Sequence, residues 1–112
     1  MNELQVTARF RVRQGQLDAF KAAADRCMAS VRERDTGTLR YDWFFNAEQT
    51  ECVVREMYRD SDALLEHVAN LGENMGALLA AADLDIELFG EPSSQLLEAT
   101  AGLAPRIYTP FR

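Results

Sequence analysis

Histidine and cysteine are nearly absent from this chain, and their scarcity bounds its chemistry first. There is one histidine, His67, and there are two cysteines, Cys27 and Cys52, in 112 residues. A lone histidine with no HxH or HxxxH spacing, and cysteines outside any ligand spacing, make a metal site unexpected. Cys27 falls in a helical pattern and Cys52 in a strand pattern, so no disulfide framework is expected and a reducing, cytoplasmic setting is the simplest reading. No run of about 18 apolar residues exists, which argues against a membrane span. Met1 to Arg13 alternate like a strand and lack the charged start and apolar run of a signal peptide. Basic residues are in the minority, with 12 Lys and Arg against 18 Asp and Glu and a net charge of −6. Their one local cluster, Arg9, Arg11 and Arg13, lies on alternate strand positions, so no nucleic acid partner is expected. Phosphate loops, GxGxxG and nucleophile elbows are missing too, so nucleotide cofactors and covalent catalysis have no local support.

What is present is a 47% apolar fraction, enough for one domain's core at this length. Leu4, Val6, Ala8, Phe10 and Val12 alternate with polar residues, which predicts a strand with one apolar face. Leu17, Phe20, Ala24, Cys27, Met28 and Val31 recur at helical spacing and predict an amphipathic helix over 16–34. Asp35-Thr36-Gly37 ends it, with Gly37 expected to supply backbone freedom. Strands are predicted over 38–46 and 50–59, then a helix over 62–70 capped by Ser61. After Leu71-Gly72 a second helical piece runs to about Ala82. Leu84, Ile86 and Leu88 mark a fourth strand. Ser93 or Ser94 caps a short helix to Thr100, and residues 105–108 read as a last, short strand. The order β-α-β-β-α-β is the split βαβ, ferredoxin-like arrangement: an α+β fold with a four-stranded antiparallel sheet and helices on one face, in a single domain over 1–112.

Pairing Asn46 with Glu51 makes opposed residues on the central hairpin sum to 97. Tyr41 then faces Glu56, Trp43 faces Val54, Leu39 faces Tyr58 and Asp42 faces Arg55. One face holds Leu39, Tyr41, Trp43, Phe45, Cys52, Val54, Glu56 and Tyr58 and should be covered by helices. The other mixes Phe44, Val53, Met57 and Phe89 with Arg9, Arg11, Arg40, Asp42, Arg55, Asp85 and Glu87. Water would not favour those apolar groups, nor a monomer core those charges, so a sheet-on-sheet homodimer interface is expected there.

The run GTLRYDWFFNAEQTECVVREMYRDSDALLEHVANL resembles the antibiotic biosynthesis monooxygenase (ABM) domain, and among its members the small bacterial quinol monooxygenase type. The resemblance is carried by Gly37-x-x-x-Tyr41, the Glu56 strand and Asp60-Ser61-x-Ala63-Leu64-x-x-His67, and the later run IELFGEPSSQLLEATAGLAPRIYTPF is similar to the tail of such proteins. It implies a dimeric α+β barrel, each subunit keeping a pocket between its own sheet and helices. It also implies oxygenation of phenols or quinols without flavin or metal. Other relatives bind haem through a helix histidine; the asparagine they carry on the first strand is here replaced by Gln5, Thr7 and Arg9 at the polar positions.

His67 and Glu56 are the candidate catalytic residues, and Tyr41, Trp43, Tyr58 and Asn70 the candidate substrate-binding ones. A histidine titrates near neutral pH and suits proton transfer. A carboxylate on the covered face is costly unless paired, so Glu56 is either a structural partner of a tyrosine or a pocket acid or base. Asn70 either points into the pocket or caps its helix. The expected function is a cofactor-independent monooxygenase acting on a phenolic, quinol or polycyclic aromatic small molecule. The alternatives are a haem-binding or haem-degrading protein using His67, a non-catalytic ligand-binding dimer, and an isomerase or lyase on the same scaffold.

Overall fold

The strand-helix-strand alternation read from the sequence appears in the computed structural model, which describes residues 2–112. The elements are β1 (Leu4–Val12), α1 (Leu17–Arg34), β2 (Thr38–Phe45), β3 (Glu51–Tyr58), α2 (Ser61–Leu71), α3 (Glu73–Ala81), β4 (Ala82–Phe89), α4 (Ser94–Thr100), a 3-10 turn at Ala101–Leu103, and β5 (Arg106–Tyr108). The sheet order is β2-β3-β1-β4-β5. The most regularly alternating strand, β1, lies at its centre, antiparallel to both β3 and β4. The expected four-stranded antiparallel sheet is therefore extended. β5 adds a fifth strand, parallel to β4, pairing Leu88 with Ile107. The short strand read over 105–108 is present; what the sequence does not carry is its pairing, because the edge a strand joins lies outside its own segment.

The hairpin register holds from Arg40 to Phe45, with Arg40 opposite Met57, Tyr41 opposite Glu56 and Asp42 opposite Arg55. It slips before that. A bulge between Thr38 and Arg40 places Thr38, not Leu39, opposite Tyr58. Leu39 is thereby turned off the covered face and left 53% exposed. One extra residue in a strand is enough to reverse the side on which its neighbour lies.

The covered face carries the core in two adjoining clusters, one around Phe10, Phe20, Cys27 and Leu78 and one around Leu4, Tyr58, Leu64 and Leu88. Cys27 and Cys52 are free and buried, and desolvation pushes each thiol up to about 11. Both behave as small apolar fillers.

Two local expectations need correction. The cap of α2 is Asp60, whose side chain accepts from the Ala63 N–H, while Ser61 Oγ accepts from the Ser93 N–H and ties α2 to the start of α4. Gly37 is required for space and not for backbone freedom: a Cβ there would lie 2.5 Å from Ala63 Cβ. Its missing side chain lets the loop between α1 and β2 lie against the first turn of α2. Among the described residues no helix is long and apolar enough to cross a membrane.

Candidate functional site

The strand β3, read as Glu51-Cys-Val-Val-Arg-Glu-Met-Tyr58, sends Cys52, Val54, Glu56 and Tyr58 to one side. A carboxylate thus enters an apolar face. The helix that follows folds back over that face because Ala63, Leu64, His67 and Leu71 form its buried stripe. The two elements bring Glu56 and His67 together over an apolar cavity with about 60 Å³ of free space. Tyr41 and Trp43 from β2 form one wall, Val6, Ala8 and Ile86 the floor, and Met75 and Leu103 close it from the helical side. No lysine or arginine lines it.

Tyr41, Trp43, Glu56 and His67, read as site candidates from the sequence, all border this cavity. Tyr41 packs edge-on against Trp43 with centroids 5.6 Å apart and against His67 at 5.1 Å. Trp43 stacks nearly parallel to Phe10, which holds its ring in place. Its indole Nε1 is buried without a hydrogen-bond partner. A buried donor left unpaired is uncommon and marks a group able to donate to a ligand.

Tyr58 and Asn70 are not placed as the sequence reading had them. Tyr58 is fully buried and lies behind the site, donating its hydroxyl to Glu56 Oε1 and packing against the His67 ring at 5.1 Å. Asn70 neither borders the cavity nor caps α2. Its side-chain amide donates to Asp35 Oδ1 at 2.9 Å, and its carbonyl accepts from Ser30 Oγ. Tyr58 was expected on the covered face and is there, but its hydroxyl is engaged by the neighbouring carboxylate two residues back on the same strand side.

Asp35, part of the helix stop in the sequence, touches His67. Its Oδ2 lies 2.8 Å from His67 Nδ1 and accepts from Thr38 Oγ1 at 2.6 Å. The Asp35 side chain is 1% exposed. A signal for it was present in the sequence: a carboxylate at a helix C-terminus sits where the helix dipole favours cations, so something else must hold it. The loop is fixed further by Glu66, which accepts from both the N–H and the hydroxyl of Thr36.

These environments divide the acids sharply. Burial pushes the Glu56 carboxyl from 4.5 up to about 7, opposed by the Tyr58 hydroxyl and reinforced by the negative Asp35 nearby. Burial also acts to raise Asp35, but hydrogen bonds from Asn70, Thr38 and His67 outweigh it and hold that carboxyl below its usual range. His67 is lowered by burial, with Asp35 working against the shift. Burial raises the Tyr41 phenol well above its ordinary value. At neutral pH the site therefore contains one firm carboxylate, one neutral imidazole and one carboxyl near its midpoint. Two acids pushed apart in this way give a site both a proton donor and an acceptor.

Solved structures of similar shape come from several bacteria. MupZ of Pseudomonas fluorescens superposes with a TM-score of 0.85 at 24% identity, over 100% of this chain and 93% of its own. SnoaB of Streptomyces nogalater, a cofactor-independent oxygenase, gives 0.70 at 21% identity, over 84% and 97%. A Mycobacterium tuberculosis protein gives 0.72 at 23% identity, over 83% and 98%. At these identities the likeness establishes the fold alone. No curated protein matches the sequence. Family assignment rests on the sequence profile for antibiotic biosynthesis monooxygenase, which matches residues 4–72, most of the chain and all of the elements that carry Glu56 and His67. The chain belongs to the antibiotic biosynthesis monooxygenase family.

Proposed function

We propose that the protein is a cofactor-independent monooxygenase for a phenolic, quinol or polycyclic aromatic small molecule. The observation that carries this reading is the cavity itself: apolar walls, an aromatic side formed by Tyr41 and Trp43, and a neutral imidazole beside a carboxyl of raised pKa at its polar end. A ring would lie against the aromatic wall with its hydroxyl toward His67 and Glu56, and Trp43 Nε1 would donate to a second oxygen. Removal of the hydroxyl proton by His67 or Glu56 leaves an electron-rich phenolate. Dioxygen takes its electrons from that anion: one oxygen atom enters the ring and the other leaves as water. Tyr58 and Asn70 act behind the site, through Glu56 and Asp35.

A cavity known to take benzene has about 150 Å³ of free space. The present 60 Å³ is less than half of that, so a ring must displace side chains on entering. Met75, with its unbranched side chain on the helical side, is the lining residue best able to adapt. Haem ligation by His67 would need a far larger opening, and the imidazole face toward the cavity already has the Glu56 carboxyl 4.0 Å away. A haemin titration without a stoichiometric Soret shift would match this expectation.

The functional unit is proposed to be a homodimer through the outer sheet face, where Phe44 and Phe89 are 53% and 38% exposed in the single chain among Arg11–Asp85 and Arg40–Asp42 ion pairs.

The test is oxygen uptake with a panel of phenols and quinols. With a substrate that the wild type consumes, His67→Ala should lower kcat by about 10²–10⁴-fold while leaving the protein folded. Conversion should stop without oxygen and persist with a chelator. Turnover under strict anaerobiosis, or only with added flavin or iron, would overturn the reading.

A further inference from the structure

The loop from Asp35 to Thr38 is pinned to α2 at successive turns. Gly37 lies against Ala63, Thr36 is bound by Glu66, and Asp35 reaches His67 and Asn70. Arg59 N–H closes the strand side by donating to the Gly37 carbonyl at 2.9 Å. Asp35 Oδ1 accepts from Asn70 Nδ2, and Oδ2 accepts from Thr38 Oγ1 and meets His67 Nδ1. An ionised carboxylate has no proton to give, so each of these contacts needs a donor on the other side. Nδ1 of His67 must therefore carry a hydrogen. A neutral imidazole has only one N–H, which leaves Nε2 with its lone pair. The nearest carboxyl oxygen on that side is Glu56 Oε1, 4.0 Å away and beyond hydrogen-bond reach. One hydroxyl oxygen seated between them at about 2.8 Å from each would span that gap.

We propose that Asp35 is a positioning residue of the site: its carboxylate holds His67 in the Nδ1–H tautomer and so presents Nε2 as the proton acceptor to a substrate hydroxyl lying between His67 and Glu56. This deepens the oxygenase reading and rests on its claim that the cavity deprotonates a hydroxyl. In the step itself the substrate O–H bond breaks, an Nε2–H bond forms, and the bonding electron pair stays on the substrate oxygen. The imidazolium so formed faces the Asp35 carboxylate across 2.8 Å, which stabilises it in a site that otherwise disfavours charge. Glu56, backed by the Tyr58 hydroxyl, is on the opposite side of the same oxygen and can donate to it when protonated. The choice left open between His67 and Glu56 is thereby made by Asp35, a residue that does not border the cavity.

His67 is the sole histidine, so a protein labelled with ¹⁵N-histidine yields a single imidazole pattern in long-range ¹H–¹⁵N correlation. At a pH above the His67 titration, the wild type should show a protonated-type shift at Nδ1 and an unprotonated-type shift at Nε2. Asp35→Asn should exchange the two shifts. Asn70 donates to Oδ1, which holds the carbonyl of the new amide there and turns its NH₂ toward Nδ1, leaving Nε2 as the protonated nitrogen. A wild type in the Nε2–H form would overturn the proposal, and so would an Asp35→Asn protein that kept the wild-type shifts. The wild-type spectrum decides alone if the variant does not fold. No substrate is needed, so failure of every phenol to react would count against the oxygenase reading and leave the role of Asp35 to the spectrum.

Discussion

At the residue scale the decisive pair is Glu56 and Asp35, two buried carboxyls with opposite proton preferences. Glu56 is pushed up to about 7, so between pH 4.5 and 7 the folded protein holds a proton that the unfolded chain has released. Stability must fall as pH rises through that window and level off above it. Glu56→Gln removes the ionisation while keeping an acceptor for the Tyr58 hydroxyl. The variant should thus gain on the wild type from pH 4.5 to pH 7, by roughly 3 kcal/mol at about 1.4 kcal/mol per tenfold change in proton affinity. His67 works in the other direction. Its lowered pKa means that the unfolded chain takes up a proton near pH 6.5 before the folded one does, so its contribution is present above 6.5 and declines as pH falls. Asp35, held low, adds stability that is lost only at more acid pH. Denaturant midpoints of wild type and Glu56→Gln at pH 5 and pH 8 check this: a difference that does not grow with pH would mean Glu56 is ionised in the folded state at ordinary acidity.

At the element scale, the approach of the α1–β2 loop to α2 sets the distance between Asp35 and His67. Gly37→Ala would force its Cβ to within 2.5 Å of Ala63 Cβ and 3.4 Å of Ala63 Cα, so β2 or α2 must move. Overpacking of this kind costs about 1–3 kcal/mol. Gly76, by contrast, is an exposed position inside α3 where a Cβ meets nothing within 4 Å. Gly76→Ala should raise stability by roughly 0.5–1 kcal/mol, because alanine loses less backbone freedom in a helix. Thermal melts of the two variants should therefore move in opposite directions. A Gly37→Ala protein melting with the wild type would show that the loop is not held against α2.

At the scale of the whole molecule, the sheet has one face in the core and one outer face that mixes apolar and charged side chains. Phe44, Val53, Met57 and Phe89 lie there among arginines and carboxylates. Of these charges, Arg11 pairs with Asp85 and Arg40 with Asp42; the cross-strand Asp42–Arg55 pairing expected from register alone gives way to the Arg40 partner two residues away on the same strand. A homodimer burying roughly 2,000 Å² or more in total would be typical for a surface of this character. Sedimentation at micromolar concentration should give a dimer, and Phe44→Glu, placed where a partner sheet would pack, should shift it toward monomer. A wild type that sediments as a monomer would remove the interface.

Much of this was legible in the chain itself. Period-two spacing over 4–12 and helical spacing over 16–34 and 62–70 gave the elements their places to within a residue or so at each end, since side-chain direction follows directly from backbone geometry. The hairpin register from Arg40 to Phe45 followed from pairing Asn46 with Glu51 across the turn, and with it the presence of Glu56 on the covered face opposite His67. The sequence by itself thus determined the βαββαβ frame and four of the residues around the cavity. Only the tertiary structure decided the rest, and each case involved partners far apart in sequence. The bulge that exposes Leu39 depends on how β2 meets β3, and the short strand read at 105–108 joins the sheet, parallel to β4, because β4 offers it an edge. Asp35 gains its role from His67, 32 residues later, and Asn70 from Asp35. Local patterning records which way a side chain points; whether it then meets a proton, a carboxylate or a wall is set by packing between elements.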